Sequence, residues 1–325
     1  MSNFLYGSIP LMAEKISRLP LRPAEELPDL YNESLIIRRG HLIGYIPFHP
    51  DATILTCMCF ESGGIGLSVY PSLEIADSLK NIHPVRFLIP TYEYRTYRLL
   101  PDKDIKRNER EARKLLNNRE FEVIDVSEEP YMSRRLKMFS RILPYMKYGN
   151  SLNAYPLGDG YLQLALGALE ISDILLCVED HGNTVVVSDE GCAGPVITAK
   201  RIAKYFGYKS ENLGVLAYCE AVSLDEESTM YAASETNKLH LMSDDPDKIK
   251  YSITTGGRTK EEHASQGGKP YQCPVQVVHS MIAYNDAILA TCAEECMKGT
   301  LGCTDHKSLV MEEYGLFMRG TERRP

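Results

Sequence analysis

"NTVVVSDEGCAGPVITAKRIAKYFGY", residues 183–208, sets a short β-branched run beside an amphipathic helix. Residues 183–190 are apolar until they close on Asp189 and Glu190, and residues 194–208 carry apolar side chains at helical spacing up to Gly207. The alternation recurs along the chain. ATILTCMCF (52–60) reads as a strand, VRFLIP (85–90) as a second strand ended by proline, and residues 101–118 as a helix-rich stretch; LIGYIPF (42–48) and DILLCVED (173–180) are further apolar runs. Strands alternating with helices predict an α/β fold around a mostly parallel sheet. Ligands in such sheets sit at the carboxyl ends of strands, so Glu179, Asp180, Asp189 and Glu190 are expected at a pocket, with Glu220 a further acid after an apolar run.

The chain has 325 residues, enough for one large α/β domain and a smaller appendage. Apolar residues make up 44% and charged residues 25%, which argues against disorder. No segment has the form of a secretory leader or the length of a membrane span, so a cytoplasmic protein is expected. Nine cysteines, an odd number, do not make a disulfide framework. Cys292 and Cys296 share a helix face and His306 follows Cys303 by three, but zinc pairs are usually spaced more tightly. Residues 292–306 read as a helix holding buried free thiols, and no metal is expected. The composition changes near residues 225–228, which divides the chain into 1–228 and a more helical 229–325.

One stretch departs from the acidic whole. The net charge is −8, yet residues 95–119 hold nine basic side chains against four acidic, a local charge of +5. Lys106, Arg107, Arg110, Arg113 and Lys114 recur at three- and four-residue spacing on one helix face, with Arg98 just before it. A solvated face is the plain reading. A concentrated positive stripe on an acidic protein is better explained by a phosphate backbone, whose binding weakens steeply with salt.

"GHLI" (40–43), "GGRTKEEHASQGG" (256–268) and "CMKGTLGCTDHKSLVMEEY" (296–314) resemble segments of eukaryotic and archaeal tryptophanyl-tRNA synthetases. The likeness extends in patches to "YLQLALGALEISDILL" (161–176), where Tyr161 matches a pocket tyrosine, and it implies a Rossmann-like class I synthetase domain with a C-terminal helical domain. In this likeness Gly40 and His41 stand at a nucleotide-binding helix start, and Glu93 corresponds to a pocket carboxylate that orients an α-amino group. Two parts of the ATP machinery depart from the family. Arg38 replaces the first histidine of the nucleotide motif, and Met230 stands where the catalytic loop has a lysine that stabilises the pyrophosphate. ATP is therefore not an expected cofactor.

"HLIGYIPF" (41–48), "FLIPTYEYRTYR" (87–98) and the basic helix also resemble cyclodipeptide synthases, which have a class I synthetase-like domain and use ready-made aminoacyl-tRNA. Gly44 belongs to that first run. The serine that holds an acyl group in bacterial members is Ile46 here, and Ala165 stands for a glutamate, so the mixture is most like the fungal arginine-containing group. That resemblance implies an enzyme joining two aminoacyl-tRNAs, one of them arginyl, into a diketopiperazine. His41, Glu93, Tyr161 and Glu220 are then the catalytic candidates; Gly40, Gly44 and the four strand-end acids are the substrate-binding candidates. The partner is tRNA, not DNA or a membrane. A divergent tryptophanyl-tRNA synthetase and a non-catalytic tRNA-binding paralogue stay open, as does a homodimer, the state of the related synthetases.

Overall fold

In the computed structural model the described residues are 21–23, 26–28, 42–61, 63–96, 99–117, 119–146, 160–189, 193–218, 224, 238–241, 246–252, 259–270, 273–283 and 286–323, with backbone alone at 43, 160–164, 193, 286 and 319–323. Seven strands form one sheet: β1 (Arg22–Pro23), β2 (Leu42–Ile46), β3 (Thr53–Cys57), β4 (Val85–Ile89), β5 (Glu122–Asp125), β6 (Thr184–Asp189) and β7 (Leu213–Tyr218). Their order is β1-β2-β7-β6-β3-β4-β5. The five from β7 to β5 run parallel, whereas β2 joins β7, and β1 joins β2, antiparallel. The α/β class with a mostly parallel sheet is thus as the sequence implied.

The chain leaves β3 toward β4 and β5 on one side and later returns to β6 and β7 on the other. The order reverses between β3 and β6, so a crevice opens beyond their carboxyl ends. Helices α1 (Tyr70–Leu79), α2 (Thr91–Thr96), α3 (Asp102–Leu116), α4 (Tyr131–Ile142), α5 (Gly160–His181) and α6 (Ala193–Ile202) accompany these strands. Buried strands alternate between two cores: Ile54, Val185 and Val187 pack with Ile75 and Leu79 of α1, while Leu55, Leu88 and Val186 pack with α4, α5 and α6. Burial on both faces is why these runs read as nearly continuous hydrophobic stretches.

One apolar run was misread. Residues 173–180 are not a strand but the last half of the 22-residue helix α5. A continuous apolar run in a helix buried along its length has the same pattern as a buried strand.

The C-terminal region adds α7 (Asp247–Lys250), α8 (Lys260–Gln266), α9 (Pro274–Ile282), α10 (Asp286–Lys298) and α11 (Cys303–Arg323). Val278, Ile282, Val310 and Phe317 share one core with Phe60, Tyr70 and Phe87 of the sheet region. Thr259 caps α8: its hydroxyl accepts from the Glu262 N–H at 3.2 Å and its own N–H donates to the Glu262 carboxylate at 2.8 Å. Gly267 and Gly268 then lie against α10, where a Cβ would meet the Met297 carbonyl oxygen at 1.8 Å or Cys296 Sγ at 2.5 Å. Residues 292–306 are correspondingly not one helix. Gly299, at φ 73°, ends α10 against the carbonyl of His263, and α11 begins at Cys303.

Candidate functional site

Cys57 ends β3 as an exposed residue, with Glu170, Cys59, Asp173 and Glu93 close around it. That crowding, followed by the charges of Glu170, Cys59, Asp173 and Glu93, holds the thiol well above its ordinary pKa. It is therefore a protonated thiol on an acidic floor and not a ready nucleophile.

Glu93 stands in the first turn of α2, directly after Pro90 interrupts β4. The short helix is pinned by Thr91, whose hydroxyl donates to Asp125 at the end of β5. Asp125 is held in turn by the Ser127 N–H at 2.9 Å and hydroxyl at 2.6 Å. From α4, Arg135 reaches under the crevice and donates through Nη2 to Glu93 and, at 2.5 Å, to Asp173 of α5. Tyr131, one turn earlier on α4, donates to the other Asp173 oxygen at 2.9 Å. Burial pushes Asp173 up to about 6, against the pull of Arg135 and with the help of Glu93.

Two carboxylates, Glu93 and Asp173, thus share one guanidinium, and Glu170 adds negative charge near Cys57. Glu93 Oε2 and the Nε and Nη1 of Arg135 are buried with no hydrogen-bond partner among the described residues. The network thus keeps unused acceptor and donor positions at its buried centre. Sequence reading found Glu93 and missed the others. A partial signal exists: Glu170 and Asp173 are the charged residues of 160–178, and three-residue spacing places both on one helix face.

Asp189, half-buried at the carboxyl end of β6, lies on the crevice side of the sheet. Gly44 in β2 lies elsewhere, packed so that a Cβ would sit 2.6 Å from the Arg22 carbonyl oxygen of β1. Glu179 and Asp180 are corrected outright: they end α5 just before β6 starts, at the amino ends of the strands. Asp180 there accepts from Arg86 at 2.8 Å and from Arg134 at 2.5 Å, which hold its pKa below the usual carboxylate value even though burial pulls the other way. Gly40, His41, Arg98, Glu190, Glu220, Arg38 and residues 230–234 lie outside the described residues, as does the side chain of Tyr161 on α5.

The basic stretch is helix α3, with acids in its first turn and Arg113 and Lys114 in its last, as the helix dipole favours. Its apolar side is buried, and the cations divide. Lys103, Lys106, Arg110 and Lys114 form an exposed stripe. Arg107 pairs with Asp104 at 3.3 Å, and Arg113 pairs with Glu109 and Glu128 at 3.1 Å each and lies 3.6 Å from Asp125.

The fold is one that solved tryptophanyl-tRNA synthetases share. Tryptophanyl-tRNA synthetase from Aeropyrum pernix superposes with a TM-score of 0.78 at 15% identity over 99% of this chain and 97% of its own. A tryptophanyl-tRNA synthetase homologue from Entamoeba histolytica gives 0.76 at 14% identity, over 95% and 90%. In sequence, a tryptophan–tRNA ligase of Methanopyrus kandleri is 30% identical over 104 residues, 29% of this chain and 27% of that protein. The chain therefore matches about a quarter of that relative's length. No protein-family model matches. Among the described residues no helix is long and apolar enough to cross a membrane.

Proposed function

We propose that this protein is a tRNA-dependent cyclodipeptide synthase that takes a cationic amino acid, arginine, from its aminoacyl-tRNA. The observation carrying this reading is the pair of buried carboxylates, Glu93 and Asp173, that converge on Arg135 beside the carboxyl ends of the strands. A buried guanidinium or ammonium requires paired carboxylates, and Glu93 Oε2 has an acceptor position to offer. The replacements at Arg38 and Met230 support the same reading, because an aminoacyl ester is already activated and needs no ATP.

In this mechanism the ribose of each acceptor end lies at the mouth of the crevice and the tRNA backbone follows the exposed stripe on α3. Glu93 receives the α-amine of one residue. A carboxylate or His41 takes a proton from the attacking amine, and such general-base help is typically worth about 10²- to 10⁴-fold. The amine nitrogen bonds to the ester carbon of the second aminoacyl group, and the tRNA 3′-terminal ribose oxygen leaves with a proton. The free amine of the resulting dipeptidyl ester then attacks the remaining ester carbon. The second tRNA departs the same way, leaving a diketopiperazine. Holding both esters in one crevice contributes as well, by making each attack effectively intramolecular.

The test is mass spectrometry of a reaction containing the protein, total tRNA, arginyl- and tryptophanyl-tRNA synthetases, ATP and all amino acids, with a control lacking intact tRNA. A tRNA-dependent product at the mass of arginine plus another amino acid less two waters is the expected result. A second reading, a divergent tryptophanyl-tRNA synthetase, is favoured by the sequence match to the Methanopyrus enzyme. The comparisons lend no support to cyclodipeptide chemistry, so the choice rests on residues of this chain. Tryptophan-dependent pyrophosphate exchange by the protein alone, without the cyclic product, would establish that second reading instead.

A further inference from the structure

Far from the crevice in function, three C-terminal helices bring histidine and cysteine side chains together. His279 of α9, Cys292 of α10 and His306 of α11 each offer one nitrogen or sulfur, and these atoms lie within 4.8 Å of one another. All three residues are buried. They are 13 and 14 residues apart in sequence, so only the packing of the three helices makes them neighbours.

The orientation of the rings is as informative as the proximity. His279 Nδ1 stands 3.0 Å from His306 Nε2, a hydrogen bond whose proton a bound metal would displace. The other nitrogen of His279, Nε2, lies 3.1 Å from the carboxylate of Glu313. A proton held on Nε2 by that carboxylate leaves the Nδ1 lone pair facing His306 and Cys292. Carboxylates placed behind histidines in this way fix the tautomer of metal ligands. Cys296 lies one turn beyond Cys292 on α10 and lines, with His306, Cys273, Cys303 and His263, a small cavity. Cys303 Sγ is 3.7 Å from His263 Nδ1 at the same place. His306 thus stands between that cavity and the cluster it forms with His279 and Cys292.

We infer that this cluster is a structural zinc site, with His279, Cys292 and His306 as ligands and Glu313 orienting His279. Nitrogen and sulfur donors in this number select zinc over magnesium or calcium, which take oxygen. The spacing hid the site, because its three ligands come one from each of three helices and no two lie closer than 13 residues in sequence. Its physical role is to tie α9, α10 and α11 at their common contact, independently of the chemistry in the crevice.

The test uses the full chain purified without chelator. Elemental analysis should find about one zinc per chain, retained on gel filtration and released when the thiols are modified with a mercurial. Cobalt supplied in place of zinc should give the intense visible bands and near-ultraviolet charge transfer of tetrahedral thiolate ligation. The Cys292→Ser and His306→Gln variants should lose bound metal at least tenfold, with a lowered melting temperature that added zinc does not restore. Should these variants fail to fold, the cobalt spectrum of the unaltered chain decides. A chain that takes up neither metal stoichiometrically overturns the inference, as does a folded double variant that keeps its zinc. Neither result depends on whether a cyclic dipeptide is made.

Discussion

The Arg135 guanidinium and the Asp173 carboxylate meet 2.5 Å apart beneath the crevice, both almost wholly out of water. Glu93 accepts from the same Nη2, so one cation holds two buried anions from two different helices. Removing the cation leaves both anions unpaired at low dielectric, which costs far more than the pairing itself contributes. Arg135→Met should therefore destabilise the fold by about 3–5 kcal/mol, read from urea unfolding. Adding Glu93→Gln and Asp173→Asn should recover most of that loss. An additive triple change would mean that the three do not act as one network.

Asp173 also fixes a pH dependence. Its carboxyl in the folded chain titrates at about 6, above the value of 3.8 for an unperturbed aspartate, chiefly because it is buried. Between those values the folded state binds more protons than the unfolded state, so this group's contribution to stability falls as pH rises through the window. Equivalently, its ionisation is a destabilising contribution present above about pH 6 and relieved on acidification toward 3.8. The stability difference between the unaltered protein and Asp173→Asn should shift in favour of the unaltered protein as pH falls from 7 to 4, measured by denaturant titration in steps of pH. A difference independent of pH would contradict the burial of this carboxylate.

The strands β3, β4 and β6 and the helix α3 were legible in sequence because each has an unambiguous period or a proline or glycine stop. The crevice was only half legible. Glu93 follows a strand and a proline, so its position at a strand end could be read directly. Asp173 and Glu170 were hidden because α5 is buried on most of its circumference, which erases the helical period and made residues 173–180 look like a strand. The same error carried Asp180 to the wrong end of the sheet. Arg135 had no local signal at all: on the surface of an isolated α4 it is one of several cations, and only the packing of α4 on α5 buries it.

On α3 the exposed and the paired cations should behave differently. Lys106→Ala with Arg110→Ala removes charge from the exposed stripe, so tRNA affinity should fall and the slope of log affinity against log salt should lessen by about 1 per lost phosphate contact, with stability unchanged. Arg113→Ala breaks pairs to Glu109 and Glu128 and should instead cost stability, about 1 kcal/mol, with a smaller effect on the salt slope. Filter binding across a salt series, beside thermal melts, separates the two. Equal effects on the salt slope would place Arg113 on the phosphate-binding face as well.

Asp180 provides the control for the crevice assignment. It sits at the amino end of the strands, where it accepts from Arg86 and Arg134, and Arg86 is additionally paired with Glu122 at 2.9 Å. Because Arg86 keeps its second carboxylate, Asp180→Asn should cost only about 1–2 kcal/mol in urea unfolding. It touches nothing at the carboxyl ends, so product formation per folded molecule should be unchanged. Glu93→Gln should do the opposite, abolishing product while leaving most of the stability in place, since Asp173 still pairs with Arg135. Loss of product in Asp180→Asn, with the fold intact, would move the substrate pocket to the other end of the sheet and remove the basis for assigning Glu93, Glu170 and Asp173 to it.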